Sequence, residues 1–351
     1  MTLHQVPGAL HMHTFFSDGT GSVQDLVRAA KEAGLGWIWV TDHDDMRAKP
    51  QEGFHDGVLV LVGYEITPAK NHYLVGDVSE LVSRDLPPAD FVRAVHEQGG
   101  IGIVAHPDER VVNEYTEAYR WEDWDIRGFD GIELWNYMSD WIEHYTPARK
   151  YLHYFFPRLA LSGPTPETLR WWDELQVEGA RPTGVFGVDA HATRVKRLGR
   201  EWVVYPYRHT FERLTNYLQL DEPLSEEFEV AERQVWGALR QGRVIMANRD
   251  RGDAAGATFV AHARGAQELV TCGEELALGS GVTLEFTCPL PAELRLVRNG
   301  VSIATTGRNQ KLRFDCSEAG HYRVEAWRGG LWILTNHIHV VGDETDLGPR
   351  A

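Results

Sequence analysis

The sequence has little of what marks secreted, membrane or nucleic-acid-binding chains. It holds three cysteines in 351 residues, Cys272, Cys288 and Cys316. They are widely spaced and form no C-x-x-C pair, so neither a disulfide framework nor a thiolate zinc site is indicated. No apolar run reaches the roughly 18 residues of a membrane-spanning helix. Met1 to Leu10 lacks the cationic stretch and apolar run of a signal peptide, which gives the expectation of a cytoplasmic protein. Basic residues are in deficit, with 35 Lys and Arg against 51 Asp and Glu, a net charge of −16. Like charges repel, so neither nucleic acid nor a membrane surface is expected as a partner; a small-molecule substrate and possible homo-oligomerisation remain. Repeats and low-complexity tracts are absent. What is abundant is histidine, sixteen residues, and tryptophan, twelve. Histidine is the commonest metal ligand and the physiological proton carrier, so its placement matters most.

Up to about residue 205, short apolar runs alternate with amphipathic stretches. The runs are 9–13, 37–41, 58–65, 101–105, 131–135 and 185–188, each bounded by Gly or turn residues. Nearly continuous apolar character of this length fits buried parallel strands. Between them, Ser22 can cap a helix from Val23 to Ala33 that Gly34 ends, and Pro88 can open one that stops at Gly99-Gly100. A third helix reads Pro166 to Glu178, ended by Gly179. This alternation predicts an α/β unit with a parallel sheet. After about residue 255 helical periodicity disappears. Strand-like segments at 282–286, 294–297, 301–303, 322–326 and 331–334 are punctuated by Asn299-Gly300, the strongest hairpin signal in the chain. They predict a small antiparallel β domain, a sandwich, over 256–345 after an α/β domain over 1–250. The acidity belongs to the first part: residues 256–351 carry a net charge of −2, leaving −14 before them.

The histidines and carboxylates gather at strand ends. His11-Met12-His13 closes the first apolar run, and residues i and i+2 of a strand share a face. Asp18 follows, then His43 after the second run, Glu65 at the end of the third, His72, His106 after the fourth, Glu133 in the fifth, and Asp189 and His191 after the last. In parallel α/β folds that edge binds ligands and carries catalysis. Clustered metal ions compensate so many donors in one place, and mixed N/O ligands suit Mn²⁺, Zn²⁺ or Fe²⁺ better than Mg²⁺ or Ca²⁺.

With Leu10-His11-Met12-His13-Thr14, Ser17-Asp18-Gly19, Thr41-Asp42-His43-Asp44, Glu65, Ala105-His106-Pro107 and Asp189-Ala190-His191, the chain resembles the polymerase and histidinol phosphatase (PHP) family. The likeness covers most of 8–245, including Gly237 to Arg243. It implies a distorted (β/α)7 barrel carrying two or three divalent metals. The ligands it implies are His11, His13, Asp18, His43, Glu65, His72, His106, Asp189 and His191, with Glu65, His106 and Asp189 in catalytic roles. The tail, with Glu318 to Glu325 and Trp332 to Asn336, resembles the carbaryl-hydrolase-like (CehA/McbA-type) branch.

The leading functional expectation is a metal-dependent phosphoesterase. It would hydrolyse a small phosphorylated metabolite or nucleotide through a metal-bridged hydroxide. The alternative is a hydrolase of carbamate, ester or amide bonds; a non-catalytic metal-binding scaffold is a third reading. A phosphate needs cationic contacts beyond the metals, for which Arg194 is nominated, with Asn136 as a further polar contact. The aromatic-rich stretch 137–172 is read as an insertion that folds as a lid or packs as core, with His144 and His153 inside it.

Overall fold

The computed structural model describes residues 3–110, 118–144, 146, 152, 156, 159, 161–197, 199–266 and 268–342. Eight strands build and flank a closed barrel: β1 (His4–Met12), β2 (Trp37–His43), β3 (Gly53–His55), β4 (Val58–Ile66), β5 (Tyr73–Gly76), β6 (Ile101–Val104), β7 (Gly131–Asn136) and β8 (Thr183–Ala190). The ring runs β1-β2-β4-β5-β6-β7-β8 and closes on β1, a seven-stranded barrel in a mixed α/β fold. β3 is an antiparallel flap on β4. The ring is not wholly parallel: β5 runs antiparallel to both β4 and β6. β5 is not among the apolar runs read from the sequence, and His72 stands just before it.

Most ring strands are buried on both faces, although His4–Pro7 of β1 and the flap β3 are only partly buried. Every residue of β4 is buried, which explains its unbroken apolar text. Helices lie outside the ring. Ser22 caps the helix Val23–Glu32 through a reciprocal bond with Asp25, and Thr165 caps Pro166–Glu178, which ends on left-handed Gly179. The helix Phe228–Arg240 sets Trp236 edge-on against Trp39 of β2. No described helix is long and apolar enough to cross a membrane.

A small hairpin follows the barrel, β9 (Arg194–Arg197) with β10 (Arg200–Val203). β11 (Leu214–Leu220) then adds antiparallel to the first half of β1, and β12 (Val244–Asn248) to β11. The remaining strands are β13 (Thr258–Ala263), β14 (Val270–Thr271), β15 (Glu275–Ala277), β16 (Val282–Arg298), β17 (Val301–Cys316), β18 (Gly320–Trp327), β19 (Leu331–Thr335) and β20 (Ile338–Val341). They enclose a second apolar core that includes Phe259, Phe286, Leu296 and Trp332. The two strand-like segments expected at 282–286 and 294–297 are one long strand. It pairs with β13 along its first half and β18 along its second, while β17 follows it throughout. Asn299 and Gly300, both at positive φ, form the two-residue turn of that hairpin. The C-terminal strands are antiparallel except for the β15–β20 pair. β19 pairs with β12, so one continuous sheet joins barrel and β unit.

A buried ionic knot reinforces this junction. Asp173, on the helix Pro166–Glu178, accepts two parallel hydrogen bonds of 2.8 Å from Arg323 of β18. It also accepts one from His337 Nε2 at 2.9 Å. Arg323 Nη1 reaches Glu325 at 2.6 Å. Against the cost of burial, Arg323 and His337 hold the Asp173 carboxyl below its ordinary range.

Candidate metal centre

The ends of β1, β2, β4, β6 and β8 converge at one mouth of the barrel. Three of the expected ligands there carry backbone angles that L-residues seldom adopt: His11 at φ 66°, His106 at φ 26° and Asp189 at φ 48°. Strand registry shows part of the cause. Leu10 and Met12 of β1 oppose Gly187 and Ala190 of β8, so two steps on one strand face three on the other. The irregularity tilts His11 and Asp189 out of the pleat and toward His13. Convergence of His11 and His13 therefore rests on this irregular backbone, beyond the simple i, i+2 alternation of a flat strand.

Glu65 sits at the centre, fully buried. Its Oε2 lies 3.3 Å from His11 Nε2, 3.6 Å from His13 Nε2 and 3.0 Å from His43 Nδ1. Its Oε1 lies 2.8 Å from His72 Nδ1 and 3.4 Å from His106 Nε2. Asp189 Oδ1 is 3.2 Å from His13 Nε2 and 3.5 Å from His11 Nε2. Asp18 Oδ1 lies 3.1 Å from His191 Nε2 and 3.4 Å from His43 Nε2. Three groups of donor atoms each lie within 4.8 Å of one another: His11, Glu65 and His106; His11, His13 and Asp189; and His13, Asp18, His43 and His191. His72 stands outside these groups. Both of its ring nitrogens face acceptor oxygens, Nε2 the Pro68 carbonyl at 3.1 Å and Nδ1 the Glu65 carboxylate at 2.8 Å.

The donor set fits divalent metal ions. His11 Nε2, both ring nitrogens of His13, His43 Nδ1, His106 Nδ1 and Glu65 Oε2 are buried without a hydrogen-bond partner. Buried polar atoms rarely stay unpaired, and these belong to imidazoles and carboxylates converging on common points. The charge balance agrees. Burial opposes protonation of His11 and His43, yet Glu133, Asp189 and Glu65 push the first well up, and Glu65 and Asp18 push the second up to about 11. His106 is pushed up to about 9 by Glu109 and Glu65, again against burial. His13 is pulled down to about 3 by burial and by neighbouring His191 and His43. Burial of Glu65 and Asp189 is outweighed by the surrounding imidazoles, which hold both well below the ordinary carboxylate range. The cavity is built to hold positive charge.

Several residues act through these ligands. Glu133 Oε1 lies 2.8 Å from His11 Nδ1, and its Oε2 accepts from the His106 amide at 2.7 Å and from Asn136 Nδ2 at 2.9 Å. Such a carboxylate fixes the tautomer and leaves Nε2 free as a ligand. Gly187 of β8 makes the room: a Cβ there would stand 1.4 Å from Glu133 Oε1. Asn136, nominated as a substrate contact, is buried and bonded to Glu133, with Asp189 Oδ2 at 3.5 Å; it orients carboxylates. Asp42 accepts from Thr14 N and Oγ1 and from Ser17 Oγ, which folds the loop that carries Asp18. Glu109 escapes sequence reading. It is buried, 3.8 Å from His106 Nδ1, and accepts from Ser139 Oγ and the Tyr119 amide. Its only signal is a spacing of three residues after His106.

The cavity above the centre has a volume of about 800 Å³. Tyr119, Met138 and Ile142 give it an apolar wall, and Arg84 is the arginine at its edge, 3.3 Å from Asp44. Tyr119 stacks on His72 with centroids 4.9 Å apart. Arg194 does not line this cavity; it lies on β9, where its guanidinium pairs with Glu201 at 2.9 Å across the hairpin. Within 137–172, the helix Tyr137–His144 supplies Met138 and Ile142, while Trp171 and Trp172 are core. His144 faces Asp140 and Ser162 in a neighbouring cavity. His153, Tyr145, Tyr151, Tyr154 and Phe155 lie outside the described residues.

Known proteins resemble this chain as follows. An uncharacterized protein of Methanocaldococcus jannaschii is 27% identical over 143 residues, covering 36% of this chain and 80% of that protein. Among solved structures, a two-domain protein of Bacteroides vulgatus containing a predicted PHP-like metal-dependent phosphoesterase is 17% identical. The match covers 95% of both chains at a TM-score of 0.46. An amidohydrolase of Chromobacterium violaceum with bound sulfate is 14% identical, covering 57% of this chain and 92% of that one at a TM-score of 0.31. Residues 9–119, which carry His11, His13, Asp18, His43, Glu65, His72 and His106, match the family model of the PHP domain.

Proposed function

We propose that this chain is a metal-dependent phosphoesterase acting on a small phosphate ester. The observation that carries the reading is the set of buried, unpartnered donor atoms on His11, His13, His43, Glu65 and His106 at the barrel mouth. His11, His13, Glu65, His106 and Asp189 would hold a pair of metals, and His43, His191 and Asp18 a further one; His72 would complete the shell beside Glu65. When bound, such ions supply Lewis acidity and activate water near neutral pH. The chain's own contribution is positional. Glu133 sets the His11 tautomer, Glu109 restrains His106, and Asp42 holds the Asp18 loop. Arg84 stands where it can receive a phosphate oxygen by exchanging Asp44. The test is hydrolysis of p-nitrophenyl phosphate after reconstitution with Mn²⁺, Zn²⁺ or Fe²⁺. Turnover should require metal and be inhibited by inorganic phosphate.

One observation favours a second reading, hydrolysis of a carbamate, ester or amide. The wall of Tyr119, Met138 and Ile142 suits an apolar leaving group better than a charged one. Selective turnover of an aryl carbamate, with none of the phosphate ester, would replace the first reading with this one.

A further inference from the structure

A second cavity lies on the rim of the C-terminal β unit, with a volume of about 450 Å³. Three arginines, Arg251, Arg308 and Arg328, line it with two carboxylates, Asp250 and Glu293. Both carboxylates are engaged by arginines from outside the lining. Asp250 Oδ2 is 3.5 Å from Arg213 Nε, and Glu293 Oε1 is 2.6 Å from Arg295 Nη2. Among the described residues, no carboxylate lies within ion-pair distance of Arg251, Arg308 or Arg328. In a chain of net charge −16, three uncompensated guanidiniums around one cavity demand a physical reason.

Two of the three are held firmly by groups that do not neutralise them. Arg328 Nε donates to the Arg251 carbonyl at 2.9 Å and Nη1 to the Pro291 carbonyl at 2.6 Å, while its guanidinium lies 5.1 Å over the Trp332 ring. Arg251 packs against Gly330, whose φ of 149° suits glycine; a Cβ there would stand 2.8 Å from Arg251 Nη2. Arg251 Nε is buried without a hydrogen-bond partner. Arg308 is exposed at the edge. Fixing like charges beside one another is unfavourable unless an anion joins them. Guanidinium forks match phosphate oxygens, and the volume falls within the range of small-ligand sites. Asp250 and Glu293 repel an extended polyanion and can accept hydroxyl donors from a compact one.

We propose that this cavity binds a small free phosphate monoester, gripped by Arg251 and Arg328 with Arg308 at the outer edge. The site is separate from the metal centre and does not depend on the reading given to it. The test uses the full chain after chelation and dialysis, so that no metal-bound phosphate contributes. Inorganic phosphate and glycerol phosphate are titrated by calorimetry at fixed ionic strength. Saturable binding of one equivalent is expected. The Arg251→Gln/Arg328→Gln double variant should weaken it by at least about a hundredfold, since each charge-assisted contact contributes roughly ten- to a hundredfold. Because Arg328 also ties two carbonyls, Arg308→Glu is the second variant. Its parent side chain makes no bond among the described residues, so the fold should survive, and the reversed charge should weaken binding at least about tenfold. Absence of saturable binding, or wild-type affinity in either variant, would overturn the proposal.

Discussion

Replacing Glu133 by Gln isolates the role of a carboxylate that the structure places behind a ligand. Glu133 is 1% exposed, and Gln has nearly the same shape, so packing is preserved. The hydrogen-bond logic is not. If the new amide nitrogen faces His11 Nδ1, that nitrogen must accept, the proton moves to Nε2, and His11 cannot ligate through the atom that points at Glu65 and Asp189. If the amide flips, its nitrogen faces the donors of the His106 amide and Asn136 Nδ2, now 2.7 and 2.9 Å from Oε2. The first arrangement blocks the ligating nitrogen, and the second sets donor against donor. Loss of such a support costs roughly 10–100-fold in metal affinity, about 1.4–2.8 kcal/mol. The assay is competitive metal titration of the apoprotein with a chromophoric chelator, with a thermal melt to show that the fold persists. Gly187→Ala, whose Cβ would displace Glu133 Oε1, should reproduce the loss. Unchanged metal affinity in Glu133→Gln would refute the assigned tautomer and the role of Glu133 with it.

Three further outcomes are expected. Metal uptake should release protons in weakly buffered solution, because His43 and His106 are pushed up to about 11 and about 9 in the metal-free cluster. Affinity should therefore rise with pH from neutrality through that range, and pH-independent uptake without proton release would contradict it. Asp173→Asn should destabilise the chain by about 3–5 kcal/mol in urea unfolding, since it strips the charge facing buried Arg323; a loss under about 1 kcal/mol would show that the knot at the domain junction is dispensable. His209, pulled down to about 3 by burial and Arg213, binds a proton more readily unfolded than folded. Stability from this residue is complete above the ordinary histidine value and falls as pH drops below about 6.5, by roughly 1–2 kcal/mol at pH 5. A His209→Gln variant should lose that part of the acid sensitivity.

The text of the chain carried the barrel strands and the first helices because buried strands and capped helices leave strong local signatures. It also carried the Asn299-Gly300 hairpin, since a two-residue turn at positive φ demands those residue types. β5, which runs antiparallel to both neighbours, was not read as a run, although the equally short β6 was. The donor residues were legible as residues at strand ends. What was not legible is the left-handed backbone of His11, His106 and Asp189, which no glycine announces. Supporting groups were harder still. Glu109 and Asn136 gain their partners from the fold, and Arg194 sits on a hairpin that pairs it with Glu201, off the lining of the central cavity. His321, His337 and His339, which no motif singles out, lie together where barrel and β unit meet, with His321 Nδ1 2.7 Å from His339 Nδ1.

The central claim is that one barrel mouth gathers these imidazoles and carboxylates around metal ions that drive hydrolysis. Metal analysis of the purified chain by plasma mass spectrometry, run alongside Glu65→Ala and with p-nitrophenyl phosphate turnover on the same samples, tests it most directly. The wild type should carry two or three equivalents of Mn, Zn or Fe and Glu65→Ala fewer than one, with activity following metal content. Full metal content and turnover in Glu65→Ala, or a fully active wild type after exhaustive chelation, would contradict it.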